Sequence, residues 1–238
     1  MTRIINMWAG PRNISTGMMY AWAQRADTTV WDEPMYAHFL VRTGVDHPMG
    51  QLVVDTDISD RDEVVAAMLS GDCPTPIVFY KNMAHHLDGF DVAIVDQMDN
   101  FLLTRDPAHM LPSLTRGLGR VPTLDDTAYP AQVEILDRIV ASGRTAIVVD
   151  SRSVLDDPRG TLTKLCAALD IGFDAAMLSW EEGPKPYDGV WGPHWYTRLH
   201  QTTGFEPYTP PSGELPSDLV DLYDTCAPLY ERLRVHAI

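Results

Sequence analysis

The chain has 238 residues, enough for one α/β domain with a sizeable core and few for two. Its formal net charge of -15 lacks the basic footprint that nucleic acid requires and equally disfavours an anionic membrane surface. The three cysteines, Cys73, Cys166 and Cys226, show no CxxC pair and no metal-ligand spacing, and they suit a reducing compartment better than a disulfide framework.

The N-terminus passes from one basic residue into a short apolar run with no small-residue cleavage site, so a strand explains it better than a leader or a membrane span. The expectation is a soluble, cytoplasmic protein without nucleic-acid or membrane partners. That run, residues 3–9, ends at Gly10-Pro11 and reads as the first strand. Residues 15–25 read as a helix that Ser15 or Thr16 can cap. Residues 28–31 are β-branched and aromatic, a second strand leading into Asp32-Glu33-Pro34, after which residues 35–42 look helical. An amphipathic helix follows over 60–69, then a buried strand over 76–80 that runs into Lys81 and the pair His85-His86. Residues 100–104 are a strand ending at Arg105-Asp106-Pro107, and Pro107 suits the first turn of a helix to about residue 116. Helices over 130–142 and 158–169 flank a strand over 145–149. Residues 183–211 carry Gly, Pro and aromatic side chains with little periodicity, which predicts an ordered flap over the site. A helix over 217–234 closes the chain. Strands alternating with helices predict one α/β domain over 1–238 with a central, mostly parallel sheet covered on both faces.

Four groups of residues carry candidate chemistry. The segment Gly10-Pro11-Arg12-Asn13-Ile14-Ser15-Thr16 joins a strand end to a helix start, where free backbone N–H groups and the helix dipole attract an anion. Arg12 adds a fork of donors, and Ser15 and Thr16 add hydroxyls. The GxxxxGK[ST] spacing is absent, so this is not a Walker A loop. Arg105 at a strand end and Ser113 two turns into the next helix can converge on one phosphate. Glu33, beyond the second strand, can accept a proton from a nucleophile. Lys81 can neutralise developing charge, and His85 or His86 can act as a base. Only one of the adjacent histidines is expected to face the site, and no further His or Cys stands at metal-ligand spacing.

These residues carry a resemblance. The chain resembles the sulfotransferases that use 3′-phosphoadenosine 5′-phosphosulfate, from the first strand to about Gly183. Gly10 to Thr16 resembles that family's 5′-phosphosulfate loop, although Asn13-Ile14 stands where Ser-Gly is common. Residues 102–113, from Leu102 through Arg105-Asp106-Pro107 to Ser113, resemble its 3′-phosphate motif with the arginine and serine at matching separation. Residues 148–158, followed by the helix holding Cys166, resemble its later strand, Asp-Pro and helix. Met83 stands near the place where many members carry a catalytic histidine. Glu33 matches the acidic base of some bacterial members, with His85 second.

The resemblance implies a three-layer P-loop-type fold and in-line transfer of a sulfuryl group to a hydroxyl or amine of a small-molecule acceptor, expected to be neutral or cationic. Arg12, Asn13, Ile14, Ser15 and Thr16 would hold the 5′-phosphosulfate, and Arg105 and Ser113 the 3′-phosphate. Arg12 and Lys81 would neutralise the leaving phosphate, with no metal expected. The rival readings are a P-loop kinase-like phosphotransferase and a non-catalytic nucleotide-binding protein on the same fold.

Overall fold

The computed structural model describes residues 2–209 and 214–238. In chain order the elements are β1 Arg3–Ala9, α1 Ser15–Ala23, β2 Thr28–Asp32, α2 Tyr36–Thr43, α3 Gly50–Thr56, α4 Arg61–Leu69, β3 Ile77–Met83, β4 Asp99–Thr104, α5 Pro107–Leu118, α6 Tyr129–Ala141, β5 Val148–Asp150, α7 Ser151–Asp156, α8 Pro158–Ala168, α9 Gly192–Trp195 and α10 Val220–Arg234, with short 3-10 turns between them.

The period-2 alternation of β1 sends Ile5, Met7 and Ala9 to one face of the sheet and Ile4 and Trp8 to the other. Both faces are covered. On the first, Met18, Met19 and Trp22 of α1 pack with Leu162, Leu165 and Cys166 of α8, and Trp22 stacks on Phe79 of β3 with ring centroids 4.7 Å apart. On the second lie Met68 of α4, Leu111 and Leu114 of α5, Ile135 and Ile139 of α6, and Leu233 of α10. Each fully buried Leu, Ile or Met in these layers contributes about 1.5–3 kcal/mol.

The strand order is β2-β3-β1-β4-β5, and every pairing within this sheet is parallel. The fold is therefore the expected three-layer α/β architecture. The chain leaves β1 towards β2 and β3, then crosses to β4 on the other side. That reversal opens a crevice at the carboxyl ends of β1 and β4, where ligands of parallel sheets bind.

Several local expectations are corrected. The N-cap of α1 is Ile14, in the left-handed region with φ 65°, and no side chain caps the helix. Ser15 and Thr16 instead lie in its first turn, so the first-turn N–H groups are left for a ligand. Strand β3 continues to Met83, which places Lys81 on the strand itself. Helices α3 and α7 have no counterpart in the sequence reading. Both are short, six or seven residues. The flap is described to residue 209, and its expected end at 210–211 lies outside the described residues. It is seated by Trp191 and Tyr196, which are buried against Tyr36, Ala37 and Leu40 of α2 and Val53 of α3. No helix among the described residues is long and apolar enough to cross a membrane.

Candidate active site

A cavity of about 1210 Å³ opens along the carboxyl ends of β1, β3 and β4 and is bordered by the flap. Pockets for one small ligand typically hold about 300–1,000 Å³, so this one has room for two reactants together.

At one end, the loop from Gly10 to Thr16 is pinned to β4. The Gly10 N–H donates to the Leu103 carbonyl at 3.3 Å, the Asn13 amide donates to the same oxygen, and Gln132 reaches it at 2.8 Å. Asn13 is thus buried as a brace for the loop. Arg12 and Ile14 both adopt positive φ, 58° and 65°. For a β-branched residue this is a costly conformation, and such strain concentrates at functional sites. Ser15 and Thr16 border the cavity.

Arg12, Arg105 and Ser113 border the same cavity, and Arg12 lies between the other two. The Arg12 Nε donates to Ser113 Oγ at 3.2 Å, and the Arg105 guanidinium donates to the Arg12 carbonyl at 2.7 Å. The helix carrying Ser113 starts cleanly because Asp106 caps it, accepting from the Ala108 N–H at 2.8 Å, with Pro107 in its first turn. Tyr129 fixes Arg105 from behind by donating its hydroxyl proton to the Arg105 carbonyl. Burial, and then the charges of Arg105, Arg116 and Arg198, lower the pKa of the Arg12 guanidinium. Among the described residues, Arg12, Arg105 and Arg116 form no ion pair with a carboxylate, whereas Arg198 pairs with Glu206 at 2.9 Å. In a chain of charge -15, uncompensated guanidiniums around one cavity are a place for an anion.

At the other end, Glu33 follows β2 with φ 44° and is buried. Its Oε1 accepts from Lys81, and its Oε2 lies 3.6 Å from His86 Nδ1. Lys81 also donates to Asp32 at 2.9 Å and to the Tyr196 hydroxyl at 2.9 Å. All three ammonium protons are therefore engaged. Lys81, expected to face a leaving phosphate, is here held by the two carboxylates and the phenol. Burial pushes the Glu33 carboxyl up to about 7, with Lys81 opposing and Asp32 reinforcing the rise. For Lys81, burial acts downwards but the carboxylates win, and its pKa is raised well above the ordinary value.

Both His85 and His86 border the cavity, against the expectation that only one would. They sit on a 3-10 turn after β3, not on a strand or α-helix, and their rings meet edge to face at 4.6 Å. His86 stacks on Tyr36 at 4.6 Å, and Phe39 packs against both. Burial lowers the His85 pKa to about 4 and that of His86 well below its usual value. Imidazoles that resist protonation this strongly are weaker proton acceptors than an ordinary histidine. Among the described residues no group of three or more His, Cys, Asp or Glu side chains gathers as for a metal.

Asp32, Trp191 and Tyr196 surround the Glu33–Lys81 pair, a place the sequence reading did not give them. Asp32 was visible as the neighbour of Glu33. The two aromatics were visible as flap residues, but nothing local links them to Lys81, 115 positions before Tyr196.

A parallel α/β sheet with an arginine-lined crevice and a buried carboxylate beside it is an architecture suited to anionic ligands. The chain belongs to the sulfotransferase domain family, which matches residues 2–237. It is 35% identical over 234 residues to the branched-chain-amino-acid aminotransferase-like proteins 1 and 2 of Arabidopsis thaliana, and the match covers 98% of this chain. It spans 42% of the length of each of these curated relatives. Among solved structures it is similar to a sulfotransferase from Alicyclobacillus acidocaldarius, with a TM-score of 0.59, 14% identity and coverage of 99% of this chain and 95% of that one. It is also similar to the sulfotransferase domain from the curacin biosynthetic pathway, with a TM-score of 0.54, 15% identity and 98% coverage of both chains. At these identities the likeness is one of fold.

Proposed function

We propose that this domain transfers a sulfuryl group from 3′-phosphoadenosine 5′-phosphosulfate to a hydroxyl or amine of a neutral or cationic small-molecule acceptor. The observation that carries this reading is the meeting of Arg12 and Ser113 at 3.2 Å beside Arg105, two loops joined into one cationic clamp. The clamp fits a donor with two separate phosphate groups. The uncapped start of α1 with Arg12 suits the 5′ end, and Arg105 with Ser113 suits the 3′-phosphate. When bound, the donor supplies an activated sulfur–oxygen bond.

The chain's own residues then have distinct tasks. Arg12 and the first-turn N–H groups of α1 hold the 5′ end and face the charge that develops there. Arg105 and Ser113 fix the nucleotide in register. Glu33 takes the acceptor's proton at Oε2, the oxygen that Lys81 leaves clear. A carboxyl held near 7 is well matched to this task at neutral pH. The flap excludes water, and Phe39 with His85 offers an uncharged face to the acceptor.

The test is incubation with radiolabelled donor across a panel of alcohols, phenols and amines. Label transfer without added magnesium is the expected result. Magnesium-dependent phosphate transfer from ATP would instead support the kinase-like reading. Nucleotide binding without transfer to any acceptor would support a non-catalytic one.

A further inference from the structure

Tyr196 follows α9 in the flap, and its hydroxyl is saturated. One proton and two lone pairs are available, and all are used. The hydroxyl donates to Asp32 Oδ2 at 2.8 Å and accepts from Lys81 Nζ at 2.9 Å and from Trp191 Nε1 at 2.7 Å. Asp32 accepts in addition from the flap's Gly189 N–H at 3.1 Å. The flap therefore reaches the carboxylate pair through one side chain and one backbone group. The groups facing Glu33 are Asp32 from β2, Lys81 from β3, His86 from the following turn, Tyr36 from α2 and Tyr196 from the flap. Of these, only Tyr196 belongs to the flap, 164 residues from Asp32.

We propose that Tyr196 is a positioning residue for the base: with the flap seated, its hydroxyl holds Lys81 between Asp32 and Glu33, so that covering the cavity and readying the base are one event. The proposal rests on the assignment of Glu33 as base. Its physical content is a competition. Lys81 is shared by two carboxylates, and the phenol supplies Asp32 with a proton donor of its own. Without that hydroxyl, Asp32 is less compensated and draws Lys81 towards itself. Glu33 then loses part of its counter-charge and holds its proton more tightly.

The experiment titrates the Glu33 side-chain carboxyl by carbon NMR in the wild type, Tyr196→Phe and Trp191→Phe, alongside kcat/KM against pH and calorimetry with adenosine 3′,5′-bisphosphate. In Tyr196→Phe the carboxyl midpoint rises by about one pH unit, and the rising limb of kcat/KM moves with it. Nucleotide affinity stays that of the wild type. Trp191→Phe keeps the phenol but frees its hydroxyl to turn, and it shifts both readouts the same way by less. It also carries the test if Tyr196→Phe does not fold. A midpoint that stays in place in a folded variant overturns the proposal. A midpoint that moves while the rate profile does not overturns the assignment of Glu33 as base and leaves Tyr196 with an electrostatic role alone.

Discussion

Arg105 is held from both ends, by Tyr129 at its carbonyl and by the Arg12 carbonyl at its guanidinium. Its charge is thus fixed in place before any ligand arrives. Removing it by Arg105→Ala should cost about 1.5–3 kcal/mol of binding to adenosine 3′,5′-bisphosphate, the range for hydrogen bonds to charged groups. AMP, which lacks the 3′-phosphate, should lose far less. Calorimetry with the two nucleotides reads the difference, and equal losses would remove Arg105 from the 3′ site. Glu33→Gln should lower kcat by roughly 10²–10⁴ and abolish the rising limb near pH 7 while nucleotide binding survives. Normal turnover in that variant would make Glu33 structural. That Arg105 and Ser113 border one cavity was legible at this scale because strand ends and helix turns fix where such residues point, whereas the Arg12–Ser113 contact was not. Nor was the saturation of Lys81, because its partners lie on β2, just beyond it and on the flap, and meet it only through the fold.

The flap is the element on which the site depends most. Gly189 sits against the Trp191 ring: a Cβ added there would lie 2.2 Å from a ring carbon, and Trp191 is buried and cannot yield. Gly189→Ala should therefore unseat the flap. Overpacking of this kind destabilises by about 1–3 kcal/mol, which a denaturant midpoint reads directly. Turnover should fall further than nucleotide binding, because Arg105 follows β4 and Ser113 lies on α5, outside the flap. Unchanged turnover would show that the flap does not complete the base. The regular elements were legible where periodicity and breakers agree, as in β1 ending at Gly10-Pro11 or α5 starting at Asp106-Pro107. Helices α3 and α7 were not, since six or seven residues make too few turns to show a period. The cap of α1 was misread for a different reason. Serine and threonine are the usual N-caps, but here the loop's strained path places Ile14 at that position and moves both hydroxyls into the first turn.

At the level of the whole molecule, the acidic surface and the cationic cleft are opposed, so the arginines around the cavity stand against the field of the rest of the chain. The burial of Glu33 also leaves a mark on stability. The Glu33 carboxyl is raised from an ordinary value of 4.5 to about 7 in the folded state. Between those values the folded protein binds more protons than the unfolded one, so this group's contribution falls as pH rises through the window. Glu33→Gln should remove that slope: relative to the variant, the wild type should lose stability between about pH 5 and about pH 8 in denaturant titrations. A constant difference between the two proteins would show that Glu33 ionises as freely folded as unfolded.

The proposed two-phosphate clamp is the feature from which the rest of the reading follows, and calorimetry on the wild-type protein addresses it most directly. Adenosine 3′,5′-bisphosphate should bind without magnesium and at least about ten-fold more tightly than AMP, a gap of about 1.4 kcal/mol. Binding of ATP with magnesium that matches or exceeds it would contradict the account.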